Sequence, residues 1–218
     1  WFGTNNAARE IVAENAIYKR ERMFNLKILP YIFSKITIMS IFALIQATLF
    51  SFIIYYRYDT SNPLWNNITG TIIWMLIVTF SATLMGLMLS SVVDKPEKVM
   101  SIVPISLIPQ IMLAGIVAKI TNPAVEILSY LTISRWGTEG LTIIQKNLYS
   151  DFPVKNKNGN LTNIVNGTKQ MKNQFHSSYT DNFGDSAGSL ELDLTILVVL
   201  SSIFFMSIFI SLKRKDAL

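Results

Sequence analysis

The feature that most constrains this chain is the length of its apolar runs. Four stand out: roughly Phe33 to Tyr56, Gly70 to Val93, Val99 to Ala118 and Leu192 to Leu212. Each supplies the ~20 residues that a helix needs to cross a ~30 Å hydrocarbon core. A helix satisfies its own backbone N–H and C=O groups, which lipid demands of any spanning segment. The charges inside these runs are Lys35 and Asp193, both near an end, where they are expected to reach the interface. Composition agrees, with 50% apolar and 15% charged residues, against ~25% charged in a soluble domain. The predicted fold is all-α: a polytopic membrane bundle of about four spans.

Basic residues set the expected orientation. Arg9, Lys19, Arg20, Arg22, Lys27 and Lys35 precede or open the first span; the next loop has Arg57 alone; Lys95 and Lys98 sit in the turn "VDKPEKVM"; Lys213, Arg214 and Lys215 follow the last span. Basic segments therefore alternate sides, and the positive-inside rule puts both chain ends in the cytoplasm. The net charge of +5 is spent on this asymmetry, so nucleic acid is not an expected partner. Without cysteine there is no disulfide or thiolate site, and His176 is the single histidine. The acceptor patterns at Asn67, Asn160 and Asn166 carry no argument by themselves.

Several local features add detail. Asn5 or Asn6 can cap a helix running to about Arg22, and Pro30 suits the first turn of the following span. Trp65 falls near an interface. Ala82, Gly86 and Ser90 recur every fourth residue, a small-residue face that lets another helix approach. Pro104 and Pro109 interrupt the third span. Gln46 and Gln110 are polar groups at membrane depth, suited to interhelical hydrogen bonds or to a substrate. "NPAVEILSYLTISRWGTEGLTII" carries Glu126, Arg135 and Glu139. It reads as a re-entrant or interfacial helix pair, in which Arg135 and Glu139, at i and i+4, form a structural ion pair. Tyr149 to Ser189 is rich in Asn, Ser, Gly and Lys and reads as a surface loop.

No GxxxxGK[ST], HExxH or GxSxG motif is present, and no acidic pair lies in the spans to relay protons. The chain thus shows no catalytic site of its own, and no metal site. The opening segment is the remaining candidate. At ~100° per residue, Glu10, Glu14, Ile17 and Glu21 share a stripe, and Ala8, Ile11, Val12, Asn15 and Tyr18 form an apolar face beside it. A helix lying on anionic lipid presents lysine and arginine outward; an acidic stripe around an isoleucine suits a protein groove better.

"FGTNNAAREIVAENAIYKRERMFNLKILPYIFSKI" resembles the loop between the second and third spans in the G (White) subfamily of ATP-binding-cassette transporters, especially bacterial ABC type-2 exporters. Glu14, Tyr18, Arg20, Glu21 and Arg22 fall on that family's coupling-helix pattern. "VVDKPEKVMSIVPISLIPQIMLAG" is similar to the turn and fifth span that line the central cavity, and "LSYLTISRWGTEGL" to the outer re-entrant helices. The resemblance implies a permease acting as a homodimer around a cavity. It implies a nucleotide-binding domain, carrying ATP and Mg, that pushes on Glu14, Tyr18, Arg20, Glu21 and Arg22. It also places Gln46, Pro109, Gln110 and Met112 at the cavity wall. The location it suggests is a bacterial inner membrane; a lining of Met, Ile, Leu and Phe with few amides suits a lipid-like or hydrophobic cargo.

On this reading residues 1–5 end a preceding span and 6–30 form the cytoplasmic coupling helix and loop. Residues 31–118 hold three spans, and 119–191 the extracytoplasmic re-entrant helices and long loop. Residues 192–212 are the last span and 213–218 a cytoplasmic tail. The family has six spans and an ATPase domain, so the chain is expected to be a piece of a longer protein. The competing class is a membrane receptor or scaffold with an external binding loop.

Overall fold

The computed structural model describes residues 1–57, 68–114, 122–144, 147–155, 161–166 and 188–215. The expected positions Trp65, Asn67, Asn160 and His176 lie outside them. The elements in order are α1 (Phe2–Ala7), α2 (Glu10–Ala13), α3 (Asn15–Arg22), α4 (Ile28–Arg57), α5 (Ile68–Val92), α6 (Pro96–Met112), α7 (Pro123–Ser129), α8 (Ile133–Ile144), β1 (Asn147–Lys155), β2 (Leu161–Asn166) and α9 (Gly188–Lys215). The chain is helical, as its apolar runs require.

Among the described residues three helices are long and apolar enough to cross a membrane: Ile28–Ile54, Ile68–Val92 and Leu190–Lys215. They correspond to the first, second and fourth apolar runs. The third run forms α6, which has 17 residues, about 25 Å of helix. It contains Pro104 and Pro109 and ends at Met112. Each internal proline removes one helical hydrogen bond, and the helix stops one turn past the second. Residues 115–121, where a longer span would continue, lie outside the described residues. The last helix runs to Lys215, past the expected boundary at 212.

The chain divides into two units. The first comprises Trp1–Phe50, Leu76–Pro109 and Leu197–Leu218. Its core gathers Ala7, Ile11 and Tyr18 from the amino-terminal segment, Ile32, Ile36 and Met39 from α4, Leu84 and Leu87 from α5, and Ile208 and Leu212 from α9. The small face of α5 is what permits this. A Cβ on Gly86 would lie 2.5 Å from the Thr4 carbonyl oxygen, so only glycine lets α1 come this close. The Thr4 hydroxyl donates to the Ala82 carbonyl at 3.1 Å. The helix that approaches the Ala82–Gly86–Ser90 face is therefore the amino-terminal segment. At the far end of α9, Lys215 donates to the Val93 carbonyl at 2.9 Å and pairs with Asp94 at 3.3 Å. A cation here both satisfies a late carbonyl of α5 and meets the negative end of that helix.

The second unit comprises Ser51–Met75 and Gln110–Ile196. Asn122 caps α7, its side chain accepting from the Ala124 N–H at 2.9 Å, with Pro123 at the first helical position. Helix α8 buries Ile133, Trp136, Gly137 and Gly140. The Trp74 indole donates to the Gly137 carbonyl at 2.8 Å, and a Cβ on Gly140 would fall 2.0 Å from the Trp74 ring. The segment read as a loop contains an antiparallel hairpin. It pairs Asn147 with Asn166 and Tyr149 with Ile164, then shifts register before Val154 pairs with Thr162. Pro153 falls in the shifted stretch, where a residue without an N–H is tolerated. Polar composition hid these short strands.

Candidate functional site: the amino-terminal segment

The segment from Phe2 to Arg22 is not one rod. It breaks at Ala8–Arg9 and again at Glu14, whose φ of −96° and ψ of 7° leave the helical region. Asn5 and Asn6 lie inside α1, which starts after Trp1, so neither caps a helix. The expected apolar face is buried at Ala8, Ile11, Val12 and Tyr18. The expected acidic stripe is split. A single helical phase cannot be carried across the break at Glu14, and a cation on another helix claims two of its members.

That cation is Lys35. Its Nζ lies 2.6 Å from Glu14 Oε1 and 3.4 Å from Glu10 Oε2. The Tyr31 hydroxyl makes a long contact of 3.5 Å to the second Glu14 oxygen. The Tyr18 and Tyr31 rings pack with centroids 4.9 Å apart. Lys35 was expected to reach the interface; it is buried instead. Two opposed carboxylates make that burial tolerable, since an unpaired buried cation is costly. Across the segment, the Ser90 hydroxyl of α5 accepts from both the Ile11 and Val12 N–H groups, each at 3.0 Å. These donors are among the unpaired amides of the first turn of α2, so Ser90 caps that helix from outside it.

Helix α3 buries Tyr18 and exposes most of its remaining side chains. Ile17, Arg20 and Glu21 are exposed, whereas Arg22 is half-buried and its guanidinium donates to the Leu26 carbonyl. The end of α3 is a left-handed cap. Leu26 N–H donates to Glu21 O at 3.3 Å, Asn25 N–H to Arg22 O at 3.2 Å, and Asn25 has φ 67°. This six-to-one plus five-to-two pairing is the Schellman arrangement, with asparagine in the position that glycine usually takes. It holds Met23 and Phe24 outward, 78% and 82% exposed.

The sequence-predicted cavity residues divide between the two units, Gln46 and Pro109 in the first and Gln110 and Met112 in the second. Gln46 is half-buried on α4; Pro109 and Met112 are exposed on α6. Gln110 is buried, its side-chain oxygen accepting from the Ser134 N–H at 3.0 Å and the Ser134 hydroxyl at 3.1 Å. That is the interhelical reading of this glutamine. The first unit holds an apolar groove of about 800 Å³ between α4, α5 and α9, lined by Phe33, Ile36, Leu84, Leu197 and Phe205 among others. Neither Gln46 nor Pro109, the two expected cavity residues of this unit, lines it.

In the second unit Arg135 and Glu139 do meet, with Nη2 to Oε2 at 3.9 Å. Arg135 donates to the Ser129 hydroxyl at 2.8 Å and lies over the Tyr130 and Trp136 rings, 4.8 and 5.3 Å from their centroids. Burial pushes the Glu139 carboxyl above its ordinary range, and Arg135 opposes that shift. Sequence reasoning missed Ser90 and Lys35 as anchors, since both depend on partners far along the chain.

Residues 1–146 match the family model described as ABC-2 type transporter. The chain is also similar to the ABC transporter ATP-binding/permease protein Rv1747 of Mycobacterium tuberculosis (strain ATCC 25618 / H37Rv), 20% identical over 144 residues. That alignment covers 63% of this chain and 16% of the relative, so the chain corresponds to a small part of that protein's length. The matched residues include the amino-terminal segment, α4 to α8 and two of the three candidate spans. The chain belongs to the ABC-2 type transporter family and is an integral-membrane permease component of a transporter.

Proposed function

We propose that this chain is the permease part of an ATP-driven exporter of the G-subfamily, bacterial type, working as a homodimer in a cytoplasmic membrane with both ends of the chain inside. The ATPase, with its ATP and Mg, is carried by a nucleotide-binding domain that docks on α3. One observation carries the reading. The segment is anchored at one side to α4 through Lys35, Glu10 and Glu14 and to α5 through Ser90, while Ile17, Arg20 and Glu21 remain exposed on the other. A push on the exposed side is thus delivered to two membrane helices through short polar contacts. Docking shifts the transport equilibrium only if α3 is held differently in the two states. Glu14 and Tyr18 belong to the anchored side, Arg20 and Glu21 to the docking side, and Arg22 to the cap between them. Gln46, Pro109, Gln110 and Met112 stay as the proposed wall of a cavity completed by the second copy. The apolar groove of the first unit supports a lipid-like or hydrophobic cargo. The alternating basic segments support the orientation.

The test uses the full-length transporter in vesicles. Arg20→Ala combined with Glu21→Ala is expected to lower transport at least about tenfold, a loss of ~1.4 kcal/mol of coupling, while ATP hydrolysis persists. Unchanged transport in the double variant sinks the coupling role and leaves the receptor or scaffold reading.

A further inference from the structure

The apolar groove of the first unit lies at hydrocarbon depth. The helices that form it are the candidate spans Ile28–Ile54, Ile68–Val92 and Leu190–Lys215. Its lining runs from Phe33 to Leu44 on α4, from Leu76 to Leu84 on α5 and from Leu197 to Met206 on α9. Phe33 comes nearest to the end of its span, and Ile28 is still about 7 Å of helix away. The headgroup layers outside a ~30 Å core are each about 5–8 Å thick, so the groove begins where they stop. Leu44, Val198 and Met206 line it and are half-exposed. The groove is therefore continuous with the apolar surface that these spans present to lipid.

Its lining chemistry selects hydrocarbon. Four hydroxyls face the groove, from Ser40, Ser81, Ser201 and Ser202. Ser40 donates to the Ile36 carbonyl at 2.7 Å, Ser81 to the Ile77 carbonyl at 3.1 Å and Ser202 to the Val198 carbonyl at 2.8 Å. That leaves Ser201 as the donor in its 2.8 Å contact with Ser81. Every hydroxyl proton in the lining is committed inside the protein, and the other lining side chains are aliphatic, aromatic or thioether. A bound water needs two to four polar partners, and a polar ligand needs free donors; the groove supplies neither. Small residues ordinarily let membrane helices close on one another, as Ser81 and Ser201 do for α5 and α9. Between α4 and α9 the contact is Phe33 against Phe205, ring centroids 5.7 Å apart, and about 800 Å³ is left beside those rings. That volume falls among those of small-ligand sites, about 300–1,000 Å³.

We propose that this groove is a binding site for the terminal part of one hydrocarbon chain of a bilayer lipid, which stays there as a resident lipid. Inside a bilayer the chain leaves one apolar surrounding for another, so the hydrophobic effect does not retain it. Retention comes from van der Waals contact with walls of fixed shape on three sides. The resident chain therefore exchanges more slowly than lipid on the open faces of the same helices. The inference rests on the groove alone: residence is expected with or without ATP, whereas a transported chain would leave during turnover.

The test is photo-crosslinking of the full-length transporter in phosphatidylcholine vesicles, using phosphatidylcholine with a diazirine at its chain end. The vesicles are chased with unlabelled phosphatidylcholine, irradiated at intervals and mapped by peptide. Ile41 is the internal reference: it is exposed on α4 at the same depth and does not line the groove. Label on Ala43 and Ser201 is expected to outlast label on Ile41 at least about tenfold, because a packed chain leaves slowly. A diazirine beside the headgroup should label the groove about tenfold less, since that end is held at the interface. Ser202→Phe puts a ring into the groove and should bring its retention down to that of Ile41. Equal loss from groove and Ile41 in the wild type overturns the proposal, and that comparison stands even where the variant does not fold. So does an unlabelled groove, the result expected if a protein helix fills it, or release of the groove label by ATP turnover, which would mark a transported chain.

Discussion

Lys35 Nζ stands 2.6 Å from Glu14 Oε1, although Lys35 belongs to the first candidate span and Glu14 to the polar segment before it. The contact joins a membrane helix to the break between α2 and α3. It converts an apparently interfacial lysine into an internal tie, and it pairs Glu10 and Glu14 with that lysine while each stays about a third exposed.

Replacing that lysine exposes the tie. Lys35→Met leaves two partly buried carboxylates facing a thioether, and is expected to cost about 1–3 kcal/mol of stability. Adding Glu14→Gln should recover part of the loss, because the stranded charge is removed. A double-mutant cycle by thermal unfolding in detergent measures the coupling; a coupling of zero would mean the contact contributes nothing.

Ser90 is expected to matter more than a serine on a membrane helix ordinarily does. Ser90→Ala strands the Ile11 and Val12 amides, at about 1–3 kcal/mol for each buried donor left unpaired. Limited proteolysis should then release the segment before Arg22 faster than in the wild type, with the α4 to α5 region still protected.

The two closest glycine contacts differ in what they hold. Gly86→Ala drives a methyl group into the Thr4 carbonyl at 2.5 Å and should displace α1 from α5. Gly140→Ala collides with the Trp74 ring at 2.0 Å and should displace α8. Overpacking of this kind costs about 1–3 kcal/mol or more. The first change is expected to reduce transport coupling, the second to reduce expression and thermal stability while leaving the α1 contact in place. Cysteine cross-linking between α1 and α5 separates the two outcomes.

Asn25 closes α3 with φ 67°. Asn25→Gly should be neutral or slightly stabilising, since glycine adopts this conformation freely. Asn25→Val should cost about 1–2 kcal/mol, the price of left-handed backbone for a branched residue. Equal melting temperatures for the two variants would contradict the cap.

The sequence alone determined where the three long helices of the described residues run, because apolar runs of spanning length leave the backbone no other way to satisfy itself in lipid. It also exposed the apolar face of the opening segment, the proline-led start of α4 and the Arg135–Glu139 pairing, all of which rest on spacing within one element. Tertiary structure decided the rest. It broke the segment at Glu14, split the acidic stripe, and put Lys35 and Ser90 in their places. Each of those outcomes depends on a partner contributed from far along the chain. A helical wheel records which side a residue faces, but the charge or donor that waits there is set only when distant helices pack.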